Sequence, residues 1–150
     1  YKQFFRRISE EVAKDLLGRL IVRNTEKGST SARIIETGAY EKGDFRESRQ
    51  GMLYTPGTIY LMPFRGSYLF NIAADHLGVM SCVEIRGIAF HNRVVKGSGA
   101  VSNALSINQN LDGVVLGEEI ELAGEPVDRS SIRKESGKSE NCIGYFSIKE

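Results

Sequence analysis

The chain has 150 residues, 41% of them hydrophobic and 26% charged, which suits one soluble domain with enough apolar side chains for a core. Its 20 basic and 19 acidic side chains leave a net charge of +1, so nucleic-acid binding has no global electrostatic argument and would need a local basic face. No run of about 18 apolar residues could span a membrane, no charged-then-apolar leader indicates secretion, and Cys82, Cys142, His76 and His91 lack the clustering of a zinc site.

In chain order, residues 9–17 read as a helix. Ser9 can cap it, Glu10 and Glu11 complement the dipole in the first turn, and Gly18 stops it. Ile8, Val12, Ala13, Leu16 and Leu17 form its apolar stripe. Residues 20–23 and 33–40 read as strands joined as a hairpin through the turn chemistry of residues 25–29. Residues 41–57 are polar and glycine-rich and read as a loop closed by Pro56-Gly57. Residues 58–62 and 67–73 read as strands around a tight turn, Pro63-Phe64-Arg65-Gly66. Another strand is expected over 81–88, a short helix over 100–107, and late strands over 118–122 and 143–148. Residues 129–141 are charged and serine-rich, hence a loop. Strands follow one another without regular intervening helices. That predicts a single α+β domain over 1–150, with a mixed or antiparallel curved sheet, flanking helices and a protruding β-hairpin.

Several segments, in order, resemble the alkyladenine (3-methyladenine) DNA glycosylases. Phe4-Phe5, then Val12-Ala13 and Leu16-Leu17-Gly18-Arg19-Leu20-Ile21-Val22, is similar to that family's opening. Arg33-Ile34-Ile35-Glu36-Thr37-Gly38-Ala39-Tyr40 resembles its R-I-V-E-T-E-A-Y strand. Gly51-Met52 followed by Pro56-Gly57-Thr58-Ile59-Tyr60 is similar to its entry into a DNA-inserting hairpin. Val83-Glu84-Ile85-Arg86-Gly87 resembles V-L-I-R-A, and residues 97–107 resemble G-P-G-K-L-x-x-A-L-G-I.

The resemblance implies an intracellular, monomeric enzyme of the nucleus, or of the cytoplasm or nucleoid. Its partner would be double-stranded DNA containing damaged purines, and it would use neither metal nor cofactor. Such an enzyme turns a damaged purine out of the stack, at a cost of a few kcal/mol. It then cleaves the N-glycosidic bond with water, a reaction that in sugar chemistry is assisted by a carboxylate beside an oxocarbenium-like centre.

Carried over position by position, the resemblance makes Tyr40 the ring that stacks on the everted base, worth about 1–3 kcal/mol. Gly38 stands where the family keeps its catalytic glutamate. Glu36, Gly38 and Tyr40 share one face of a period-two strand. Glu36 could substitute as the base, but from roughly 6–7 Å away along the strand. Glu47 falls where the family has a pocket histidine, and could hold a purine amino group or act as a displaced base. Met62 replaces a second stacking tyrosine and could pack on the base through its thioether. Asn71 would limit which purines fit, and Arg86 would lie beside the attacking water and the DNA backbone, unless it only pairs with Glu84 on its own strand face. Tyr60 and the hairpin tip, Phe64 or Arg65, would contact or enter the minor groove. Lys96 with Gly97 and Gly99 would hold a phosphate at a helix start.

Three readings follow. The first is a glycosylase active on alkylated or deaminated purines. The second is a lesion-binding homologue that lost catalysis at Gly38. The third is the same fold without DNA.

Overall fold

The computed structural model describes residues 1–41, 54–76, 81–139 and 141–149. A short helix α1 (Lys2–Phe5) precedes α2 (Ser9–Leu16), which buries Val12, Ala13 and Leu16 and carries Glu10 and Glu11 in its first turn. Ser9 does not cap this helix. Ile8 holds the cap position, and Ser9 is a buried residue of the first turn. The chain leaves α2 through Gly18 at φ +94°, where an added Cβ would sit 2.7 Å from Val127 Cγ1. Only glycine combines that backbone with that closeness.

The remaining chain builds a nine-stranded sheet among the described residues. β1 (Leu20–Thr25) and β2 (Gly28–Glu41) form the expected hairpin, with β2 running well beyond the predicted segment. Most of the expected loop over 41–57 lies outside the described residues. β3 (Ile59–Phe64) and β4 (Ser67–Ala74) meet at Arg65 and Gly66, both at positive φ. That is the two-residue turn whose twist suits paired strands. The strands therefore run further than predicted, and Pro63 lies within β3 instead of in the turn. It is tolerated because, among the described residues, β3 is an edge strand and no strand pairs with it on its outer side at Pro63.

β5 (Ser81–Phe90) turns through His91 and Asn92 into β6 (Arg93–Lys96), a strand the sequence reading lacked. Then come α3 (Ser98–Ala104), which starts and stops earlier than expected, and β7 (Ile120–Ala123). β8 (Ile132–Glu135) occupies part of the segment expected as a loop and pairs with β9 (Cys142–Ile148). The strand order is β3-β4-β5-β2-β1-β7, and every pairing among the described residues is antiparallel.

Two long strands organise everything. One edge of β2 pairs with β1 as far as Arg33 and with β9 from Glu36 onward. One edge of β5 pairs with β4 as far as Glu84 and with β6 from Gly87 onward. Between β2 and β5 the register slips at the same place, around Glu36 and Gly87. Bulges of this kind bend strands and re-aim side chains. Here the slip changes parity. Ala32 and Ile34 are buried before it, and Thr37 and Ala39 after it. Glu36, Gly38 and Tyr40 thus share one face, as the alternation predicted, and the slip turns that face away from the core. Gly87 permits the crowding, since a Cβ there would lie 3.0 Å from that of Glu36.

The core lies on the other face. Ile59, Ile72, Val83 and Ala39 are register partners across four strands, and so are Leu61 and Phe70. All belong to one apolar cluster completed by α2, which packs across β2 and β5.

Candidate functional site

On the face opposite the core, Tyr60, Asn71, Glu84, Gly38 and Tyr145 form a second row of cross-strand partners running from β3 to β9. Glu84 is only 3% exposed. A carboxylate held that dry must be paired. Its Oε1 accepts from the Tyr40 hydroxyl at 2.9 Å and from Arg86 Nη1 at 3.0 Å. Arg86 also donates through Nε to Glu36 Oε2 at 3.2 Å, and its guanidinium lies 4.0 Å from the centroid of the Tyr145 ring. One cation therefore bridges two carboxylates over an aromatic face.

The electrostatics follow from this packing. Burial works to lower the Arg86 pKa, but the charge and hydrogen bond of Glu84 and the hydrogen bond of Glu36 outweigh it, so the guanidinium is held above its ordinary range. Burial, then the charge and hydrogen bond of Glu84, push the Tyr40 phenol well above its ordinary value, and it stays a neutral donor. Burial, then Glu84 and Cys142, push the Cys82 thiol up to about 12. Cys82 is therefore a protonated neighbour, donating weakly to Asn71 Oδ1 at 3.8 Å, and not a nucleophile at neutral pH.

These groups floor a cleft of about 520 Å³. β4 and β6 pair with successive stretches of the same edge of β5, Ser81–Glu84 and Gly87–Phe90. Tyr40, Glu84 and Arg86 form the floor. Phe64, Arg65, Ser67 and Leu69 of the β3–β4 hairpin make one wall, and residues 97–99 with Asn103 make the other. The walls are tied together: Ser67 Oγ lies 3.2 Å from the Gly99 carbonyl and 3.0 Å from Asn103 Oδ1, and Ser102 Oγ donates to the Tyr68 carbonyl at 2.8 Å. The volume is in the range of small-molecule sites.

A profile of the methylpurine-DNA glycosylase family matches residues 3–139. The chain belongs to the methylpurine-DNA glycosylase family. A relative in Synechococcus elongatus, provisionally named a 3-methyladenine DNA glycosylase, is 33% identical over 131 residues, covering 79% of this chain and 68% of its own. One in Natranaerobius thermophilus, with the same provisional name, is 31% identical over 150 residues, 80% of this chain and 76% of its own. A Clostridium perfringens relative of that name is 35% identical over 98 residues, 58% of this chain and 48% of its own. The match thus spans about half the length of that last relative.

In this methylpurine-DNA glycosylase fold, Glu36, Tyr40 and Arg86 come together as one cluster. Gly38 lies at its centre. An added Cβ would meet Arg86 Cδ at 3.1 Å, Tyr145 Cδ1 at 3.2 Å and Tyr40 Cε2 at 3.3 Å. A side chain there would need these neighbouring side chains to give by a few tenths of an ångström. Asn71 is 5% exposed and sits in the row beside Glu84, beneath the surface of the cleft. Half-buried Met62 pairs with Leu69, and Leu69 rather than Met62 lines the cleft.

Phe64 is 45% exposed at the hairpin end, with the Arg65 guanidinium 4.9 Å from its ring centroid. Gly97 and Gly99 line the cleft wall, while exposed Lys96 stands outside it as the last residue of β6. Tyr60 departs from expectation. It is 8% exposed and packs against the Tyr54 ring at 4.8 Å, so it offers a duplex almost no surface. Glu47 lies outside the described residues.

Sequence reasoning noted Glu84 only as a possible partner of Arg86, and did not find Tyr145. Alternation along β5 places Glu84 and Arg86 on one face, which was available as a signal. Nothing local marks Tyr145, because it joins the site through pairing of β9 with a strand about a hundred residues earlier.

Proposed function

We propose that residues 1–150 act as one DNA glycosylase domain that receives an everted, alkylated purine in the cleft above Tyr40. It hydrolyses the N-glycosidic bond with water and leaves an abasic site. The observation that carries this reading is the cleft itself: a half-buried tyrosine and a charge-paired arginine at its floor, beside an exposed Phe-Arg hairpin end. The ring supplies a stacking surface, worth about 1–3 kcal/mol per base. The hairpin end supplies an apolar wedge of the kind that fills a vacated stack. Deaminated purines are a second substrate class for the same cleft.

Excision of 3-methyladenine and of hypoxanthine from duplex DNA tests the proposal under single-turnover conditions. Release of free base, lost on Tyr40→Ala, is the expected outcome. No release at high enzyme concentration would sink it.

A second reading rests on the crowding above Gly38: the chain binds lesions without excising them. Tight binding of lesion duplex without base release would favour it. Duplex binding in both readings should weaken steeply with salt. No duplex affinity even at low salt would favour the same fold without DNA.

A further inference from the structure

In sugar chemistry glycosidic hydrolysis is assisted by a carboxylate close to the anomeric carbon, and Gly38 has no side chain to offer one. We propose that Glu84, on the neighbouring strand, is the catalytic carboxylate of this chain. The inference rests on the glycosylase reading above.

Register carries it first. Glu84 and Gly38 are direct cross-strand partners. Such partners face the same side, with Cβ positions about 4.5–5.5 Å apart. A glutamate at 84 therefore projects beside the column that a side chain at 38 would occupy.

Placement carries it next. Among the described residues, Glu84 is the one carboxylate lining the cleft above Tyr40, and it does so from its floor. Glu36 lies on the far side of Arg86 and lines a separate, smaller depression with Tyr145 and Ser147.

Orientation carries it last. Oε1 takes both the Tyr40 hydroxyl and Arg86 Nη1, which fixes the carboxylate plane. Both of these hydrogen bonds end on Oε1, and the proposal gives Oε2 to the attacking water. A purely structural role accounts for less. Arg86 already has Glu36 at 3.2 Å and the Tyr145 ring at 4.0 Å, so Glu84 brings a second carboxylate to one guanidinium. Glu84, Glu36 and Arg86 sum to one negative charge (−2 + 1). That sign suits an oxocarbenium-like sugar and a cationic methylated base.

The step balances without a co-reactant. The water oxygen bonds to C1′ while the C1′–N bond breaks. Its electron pair leaves with the purine and neutralises the ring's positive charge. The water proton passes to Glu84 Oε2 and then to solvent.

The test measures single-turnover release of a methylated purine together with affinity for a lesion duplex. Glu84→Gln should slow release by about 100-fold or more while affinity stays within about threefold. Glu84→Ala should regain part of its rate on adding formate, which a structural role would not produce. Glu36→Gln should lose less than Glu84→Gln. If Glu84→Gln proves unstable, Glu84→Asp keeps the counter-charge for Arg86 but withdraws the oxygens by about 1 Å or more, a displacement sufficient to slow catalysis strongly.

Wild-type release rates in Glu84→Gln or Glu84→Asp would overturn the role of Glu84 and leave the glycosylase reading standing. Absence of formate rescue, with Glu36→Gln the slower enzyme, would move the role to Glu36. No release by the unaltered chain would overturn both proposals.

Discussion

Across β3, β4, β5 and β2, the row Ile59, Ile72, Val83 and Ala39 is fully buried, and the adjacent row Tyr60, Asn71, Glu84 and Gly38 is almost as buried. The rows share strands, twist and neighbours. They differ in what compensates burial. The first row gains about 25 cal/mol for each Å² removed from water. The second places an amide and a carboxylate where water is scarce, and each needs a specific partner to offset its lost hydration. Apolar residues of similar volume would hold the sheet together at least as well. Depth therefore does not separate core from site in this sheet. The need for exact pairing does.

The largest expected contrast comes from the core face. Phe70→Ala removes a fully buried ring and should cost about 3–5 kcal/mol of stability in chemical denaturation. A loss below about 1 kcal/mol would mean that this face does not carry the fold.

Gly38→Glu sharpens the contrast from the other side. Its first added carbon would already crowd Arg86, Tyr145 and Tyr40 at 3.1–3.3 Å. Overpacking of this kind costs about 1–3 kcal/mol, and the new carboxylate would join two already sharing one arginine. Stability should fall and base release should not rise. Faster release would show that the cluster can open to admit a side chain at 38.

Cys82 gives a pH-dependent version of the test. Its thiol lies at about 12 in the fold against an ordinary 9.0. The neutral form is favoured by folding, so this contribution is intact below pH 9 and is lost as pH rises toward 12. Over that window stability should fall by at most about 1.4 kcal/mol per pH unit. Cys82→Ala should flatten the slope in denaturation curves, and an unchanged slope would refute the assignment.

The smallest structural effect is expected at the hairpin end. Phe64 is 45% exposed, so Phe64→Ala should change stability by no more than about 0.5 kcal/mol. Lesion-duplex affinity should nonetheless fall by about tenfold. Equal affinity in electrophoretic or anisotropy titrations would remove Phe64 as a wedge.

Much of the sheet was legible because alternation and turn chemistry are local. The β1–β2 and β3–β4 hairpins, β5, α2 and β9 all announce themselves within a few residues. Errors fell where local signals mislead. Pro63 reads as a turn but sits on an edge strand, and residues 132–135 read as a polar loop but pair with β9. Tyr60 reads as a nucleic-acid contact beside a hairpin, but the row it shares with Asn71 and its packing on Tyr54 bury it.

By itself, the sequence determined the family, the α+β class, and that Glu36, Gly38 and Tyr40 share one face, because motifs and period-two alternation are written in adjacent residues. Only the tertiary structure decided what surrounds Gly38. Glu84 meets it through the β2–β5 register, Tyr145 through the β2–β9 register, and Arg86 folds over it from two residues beyond Glu84. Those registers depend on a bulge and on strand pairings between distant segments.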